Sequence, residues 1–184
     1  MKDAQPLLME ALSGCAKRME HDLHHLHPSL LNESVFRHHL VRALDELRPD
    51  ASIQIEWKRI DLVVQVDGIT HLIEIKYYGD HKAEHLDGSG SWVKGGPGRK
   101  NFSEFIACLN KLENLEKQKG MQQLSSLQAV KKWLVLGYSD RFAKWYDSIE
   151  RVAPETASAF WIADGPEIST ENGMRLQTKL IGVE

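Results

Sequence analysis

The sequence predicts an α/β protein with a mixed central sheet and helices on its faces. Three observations carry that expectation. Apolar residues recur at helical spacing in four stretches, two short strands meet at Asp67-Gly68, and a strand-helix-strand succession follows, which implies a right-handed crossover. At 184 residues the chain fits one domain, 1–184, long enough to bury a real core.

The first helix is expected from about Asp3 to His24, where Leu8, Leu12, Cys15, Met19 and Leu23 form one stripe. Residues 1–28 read as an accessory element for packing or oligomerisation. The run His21 to His27 closes it, and His21, His24 and His25 share a helix face at i, i+3 and i+4. That spacing is compatible with a transition-metal site. The absence of a nearby Cys and the position at a helix end favour plain solvation instead.

Pro28 ends this helix, and Asn32 is the expected N-cap of a second, from about Glu33 to Arg48, stopped by Pro49. Its stripe is Phe36, Leu40, Val41, Leu44 and Leu47, and Glu33 lies one turn back along it. A carboxylate thus heads a buried face. Locally, Glu33 is explained by the helix dipole or by pairing with Arg37 at i+4.

Ser52 to Trp57 alternates apolar and polar residues and reads as a strand leading into the stretch Arg59 to Tyr78. Asp67-Gly68 is a strong hairpin signal because both residues tolerate positive φ. With a two-residue turn, Val66 faces Ile69, Leu62 faces Ile73, and Asp61 faces Glu74. A four-residue loop from Asp67 to Thr70 would pair Asp61 with Lys76 instead. In either register Asp61, Glu74 and Lys76 share one face, while Leu62, Val64, Val66, Ile73, Ile75 and Tyr77 make the other wholly apolar.

Residues Gly79 to Lys100 include six glycines with His81, Lys82, His85, Lys94, Arg99 and Lys100. This is too long for a plain connection and reads as a flexible basic flap beside the carboxylates, or as an untethered loop. A third helix follows from Asn101 to about Lys119, with Lys111 off its apolar stripe. Trp133 to Tyr138 reads as a strand covered on both faces. A helix over Asp140 to Arg151, a short strand at Phe160 to Ala163 and an edge strand from Arg175 to Ile181 complete the expected elements. Residues 32–138 then form the core and 139–184 an elaboration.

The net charge of −3 does not advertise nucleic-acid binding, so any such binding rests on a local patch. Cys15 and Cys108 lie on apolar stripes without metal-ligand spacing and read as reduced core residues. No signal-peptide run or transmembrane stretch is evident, and a cytoplasmic location without membrane contact is the expectation.

Crowded carboxylates in a half-buried cleft repel unless a cation neutralises them. Oxygen-only donors suit a hard ion, Mg²⁺ or Mn²⁺, and a lysine two residues beyond a ligand carboxylate can hold an attacking water or neutralise charge at phosphorus. The bland account is an ion pair of Asp61 or Glu74 with Lys76.

Asp61, a hydrophobic strand and turn, then Glu74-Ile75-Lys76 resembles the PD-(D/E)XK nuclease superfamily, the restriction-endonuclease-like fold. Glu33 matches the extra helix carboxylate of many members, and the order helix, three-strand meander, helix, strand follows the common core. The family's Pro before the Asp is replaced by Ile60, so the motif is a degenerate version. The resemblance implies that Asp61, Glu74, the Ile75 carbonyl and Glu33 hold Mg²⁺ or Mn²⁺, and that Lys76 positions the attacking water. It implies a metal-dependent nuclease, with DNA the expected substrate and Lys82, Lys94, Arg99 and Lys100 supplying phosphate contacts. A single cleft cuts one strand at a time, which makes a homodimer a further expectation carried by no particular residue. The rival expectation is a catalytically inactive protein-interaction module that retains the fold.

Overall fold

The computed structural model describes residues 5–26, 30–79, 81–84, 87–94, 99–117, 129–139, 160–169 and 175–183. Helix α1 spans Gln5–His25 and α2 spans Glu33–Leu47, followed by the strands β1 (Ser52–Trp57), β2 (Ile60–Val66) and β3 (Ile69–Tyr78). Strands β4 (His81–Glu84) and β5 (Ser91–Lys94), helix α3 (Arg99–Glu113) and strands β6 (Val130–Ser139), β7 (Phe160–Asp164), β8 (Ile168–Ser169) and β9 (Arg175–Val183) complete the chain. The helix expected over residues 140–151 lies outside the described residues.

The sheet runs β1-β2-β3-β6-β9-β7, with β8 also paired to β9. It is mixed. β3 and β6 are parallel, and every other pairing in it is antiparallel. Helices cover both faces. One core joins Leu12, Phe36 and Leu40 of α1 and α2 to Leu62, Val64, Ile73, Ile75, Trp133 and Val135. The other joins Phe105, Leu109 and Leu112 of α3 to Val63, Leu72, Leu134, Leu136 and Ile181. Successive residues of β6 enter opposite cores because strand side chains alternate.

Asn32 caps α2 as expected, its Oδ1 accepting from the Ser34 and Val35 amides at 2.9 and 3.2 Å. The α1 stripe is fully enclosed, with Leu8, Leu12, Cys15 and Met19 each 0% exposed, so its packing role is fulfilled within this chain. Close approach of the two helices is permitted at Gly14, where a Cβ would meet the Ala43 Cβ at 3.0 Å. Both cysteines are free thiols and buried.

Asp67 and Gly68 adopt φ of 52° and 73°, and Val66 pairs with Ile69, which settles the two-residue turn. The stretch after Tyr78 differs from the expected open flap. Four-residue strands β4 and β5 pair with each other, His81 opposite Lys94, outside the main sheet. Two features turn the chain between them: the Asp87 carboxylate accepts from the Ser89 amide at 3.0 Å, and Gly88 and Gly90 take positive φ. Lys82 therefore lies in β4, Lys94 in β5, and Arg99 and Lys100 open α3 instead of belonging to a loop. The third helix also ends earlier than expected, with a 3₁₀ turn over Leu115–Lys117.

Strand β9 is a second correction. It lies between β6 and β7 instead of at an edge, and Leu176, Thr178 and Leu180 through Val183 are buried. Among the described residues, no helix is long and apolar enough to cross a membrane.

Candidate active site

Strand β3 extends past the start of β2, and the pairing between them ends at Leu62 and Ile73. Asp61 and Glu74 are the next residues in the register, just beyond the last pair of the β2–β3 ladder.

Asp61 is held by the backbone of β3, its Oδ2 accepting from the Ile75 amide at 2.8 Å. In an extended strand a residue's N–H and C=O point to the same edge, so the Ile75 carbonyl faces the Asp61 side too. Glu74 is only 3% exposed, beneath α3. Burial, and after it the Asp61 charge, push its carboxyl above the ordinary carboxylate range, while Lys111 pulls it back.

Lys76 shares the Glu74 face, and its Nζ stands 3.2 and 3.4 Å from the two Glu33 oxygens. Burial disfavours its ammonium, yet the Glu33 charge and neighbouring groups outweigh that and leave its pKa raised. Glu33, the first residue of α2, therefore meets Lys76 and not Arg37. The guanidinium of Arg37 instead donates to Glu56 at 3.0 Å.

Lys111 was not legible as a site residue. Its Nζ is 2.6 Å from Glu74 Oε1 and also donates to the Arg59 carbonyl. The signal that could have found it is positional: it lies three residues after Cys108 and four before Leu115, both buried. The Arg59 carbonyl belongs to a tight turn between β1 and β2 in which Lys58 and Arg59 adopt φ of 46° and 73°. Left-handed backbone costs non-glycine residues about 1–2 kcal/mol each, so the surrounding strands must impose this turn. Cys108 lies under the same cluster, its thiol pushed up to about 11 by burial.

The structure thus brings Glu33, Asp61, Glu74, Ile75 and Lys76 to one end of β3. It places Lys82 and Lys94 on the hairpin that leaves that same end. The start of α3, with Arg99 and Lys100, is tied there by the Tyr78 hydroxyl, which donates to the Asn101 carbonyl at 3.1 Å. For a metal, the donors available are two adjacent carboxylates and one strand carbonyl, all oxygen, a set that suits a hard divalent ion. Among the described residues, no three of His, Cys, Asp and Glu converge on one point, so the carbonyl or waters must complete any such sphere.

The histidine cluster has a different geometry. His21 and His25 stack at 4.2 Å between centroids, and His25 Nδ1 is 2.7 Å from the His21 carbonyl. That contact turns one ring nitrogen towards the backbone. His27 lies outside the described residues.

Comparison with models of known families, with curated protein sequences and with solved structures returns no match to this chain.

Proposed function

We propose that the chain is a divalent-metal-dependent nuclease of the restriction-endonuclease-like kind, with DNA as its substrate. The observation that carries this reading is that Asp61, Glu74 and Lys76 lie near one another towards one end of β3, with Lys76 ion-paired to Glu33 of α2. Supporting it is the order α2, β1, β2, β3, α3, β6, interrupted only by the β4–β5 hairpin outside the main sheet, an antiparallel meander continued by a parallel strand. A structural ion pair at a sheet end needs two residues. Here a helix tip, two strands and a second helix contribute the linked charged pairs Lys76–Glu33 and Lys111–Glu74 beside Asp61.

In this reading Asp61, Glu74 and the Ile75 carbonyl hold Mg²⁺ or Mn²⁺, with Glu33 reaching it directly or through water. When bound, the ion polarises a phosphate and lowers the pKa of a water. Lys76 orients the attacking oxygen and offsets negative charge growing at phosphorus. The Ile75 amide fixes the Asp61 rotamer, so the carboxylate is presented without reorganisation. Lys82 and Lys94, on the hairpin that follows β3, and Arg99 and Lys100, at the start of α3, are the residues proposed to contact flanking phosphates. The chain acts in the cytoplasm, and a homodimer would bring two clefts to a duplex.

The test is incubation of purified protein with supercoiled, linear and single-stranded DNA and with RNA in Mn²⁺. Cleavage of DNA that stops with chelator and with Lys76→Ala is the expected result. Intact substrates in every form would overturn the proposal.

A second reading, an inactive interaction module, draws on the internal pairing of the site. Glu33 is already matched by Lys76 and Glu74 by Lys111, in a chain of net charge −3. Its mark is a melting temperature indifferent to Mn²⁺ in both wild type and Asp61→Asn.

A further inference from the structure

We infer that the Lys111 ammonium is the resident cation of the metal-free cleft, and that a divalent ion binds there only by displacing it. The inference rests on the metal-binding reading above and adds what governs that binding.

A carboxylate as buried as Glu74, beside a second carboxylate, stays ionised only with a cation within contact distance. Lys76 does not provide it, because its Nζ is drawn to Glu33. Lys111 does, at 2.6 Å from Oε1, and its hold on the Arg59 carbonyl fixes the ammonium between the β1–β2 turn and β3. Glu74 Oε1, one of the oxygens a metal would need, is thereby already occupied by an ammonium. A divalent ion ligated by Glu74 and an ammonium on the same carboxylate would repel in a setting with little water to screen them.

The lysine also has a way out. Its side chain is 25% exposed, against 4% for Glu74, so rotation about its own stem carries the ammonium to solvent while α3 stays in place. The flexible four-carbon stem suits such exchange. Once displaced, it remains on α3 beside the cleft and adds positive charge where a phosphodiester would approach.

Mn²⁺ titration followed by the electron paramagnetic resonance of the free ion tests this without reference to activity. Lys111→Met, which keeps the stem and removes the charge, is expected to lower the Mn²⁺ dissociation constant about tenfold, within the usual range for coupled sites. Lys111→Arg, which keeps the charge, should bind no more tightly than wild type. Equal or weaker binding by Lys111→Met overturns the inference while leaving the metal site standing. Absence of Mn²⁺ binding by every form overturns the metal site and the inference together. Should Lys111→Met not fold, acylation of wild-type lysines read by mass spectrometry decides the question. Lys111 should be protected in chelator and become reactive in saturating Mg²⁺, and unchanged protection where Mg²⁺ binding is evident refutes displacement.

Discussion

Lys76 Nζ lies 3.2 Å from Glu33 Oε2, joining the middle of the sheet to the tip of α2 across 43 positions of sequence. Glu33 is 41% exposed at its side chain and Lys76 only 20%, so the carboxylate is the member that water can replace. Lys76→Ala is expected to cut DNA cleavage by about 100-fold or more, the usual loss for a group aimed at the reacting atoms. Glu33→Gln should cost about tenfold, as outer carboxylates of metal sites commonly do. Single-turnover cleavage in Mn²⁺ measures both, and equal losses would place Glu33 among the direct ligands.

Asp61 has two tasks that substitutions can separate. Asp61→Asn retains an oxygen for the Ile75 amide, so it should fold as wild type does while losing Mn²⁺ binding. Asp61→Ala strands that amide in a half-buried position and is expected to lose a further 1–2 kcal/mol or so of stability. Urea unfolding of the two variants side by side checks the difference.

His71 sets a pH dependence independent of the cleft. It is 1% exposed and accepts a hydrogen bond from Trp133 Nε1 at 3.2 Å on its Nδ1. Burial, and after it the Lys131 charge, push it down to about 4 from the ordinary 6.5. The unfolded chain therefore binds the proton first as pH falls. The stabilisation is complete above about pH 6.5 and is lost progressively towards pH 4, by roughly 3 kcal/mol in all. Urea midpoints between pH 7.5 and 4 should show this slope, and His71→Gln should flatten it.

Gly137 of β6 touches both the core and the site. A Cβ there would stand 3.1 Å from Tyr77 Cδ2 and 3.3 Å from Phe36 Cε2. Phe36 lies one turn beyond Glu33, so any yielding moves the tip of α2 away from Lys76. Gly137→Ala is expected to lower stability by about 1–3 kcal/mol and to reduce cleavage by a factor similar to Glu33→Gln. Thermal melts and cleavage rates on one preparation test both.

Local chemistry made much of the site legible. The Asp67-Gly68 turn narrows the register to two, and in both of them Asp61, Glu74 and Lys76 share a face; the pairing of Val66 with Ile69 selects the two-residue turn. The Glu33 position follows from the helical period of Phe36, Leu40 and Leu44. What local pattern could not supply was partnership between distant segments. Lys111 contacts Glu74 from 37 residues away and has no sequence mark beyond flanking an apolar stripe. β9 reads as an edge strand because its alternation up to Leu180 is that of a half-covered strand. Only the closing run Ile181-Gly182-Val183 hints that β7 lies beyond it. In the stretch from Gly79 to Lys100, glycine content masked a hairpin whose strands are just four residues each.

β3 is flanked by β2 on one side and β6 on the other, and its pairing with β6 runs from Thr70 to Tyr78. Amides of such a strand exchange with solvent only when the whole molecule opens. Glu74 and Lys76 lie beyond the β2 ladder but within the β6 ladder, paired with Leu134 and Leu136, and through it belong to the last part of the protein to come apart. Heating should abolish their chemistry at the global melt and not before. Glu33 on its helix tip and the β4–β5 hairpin outside the main sheet lie off that ladder, so they can yield while it holds.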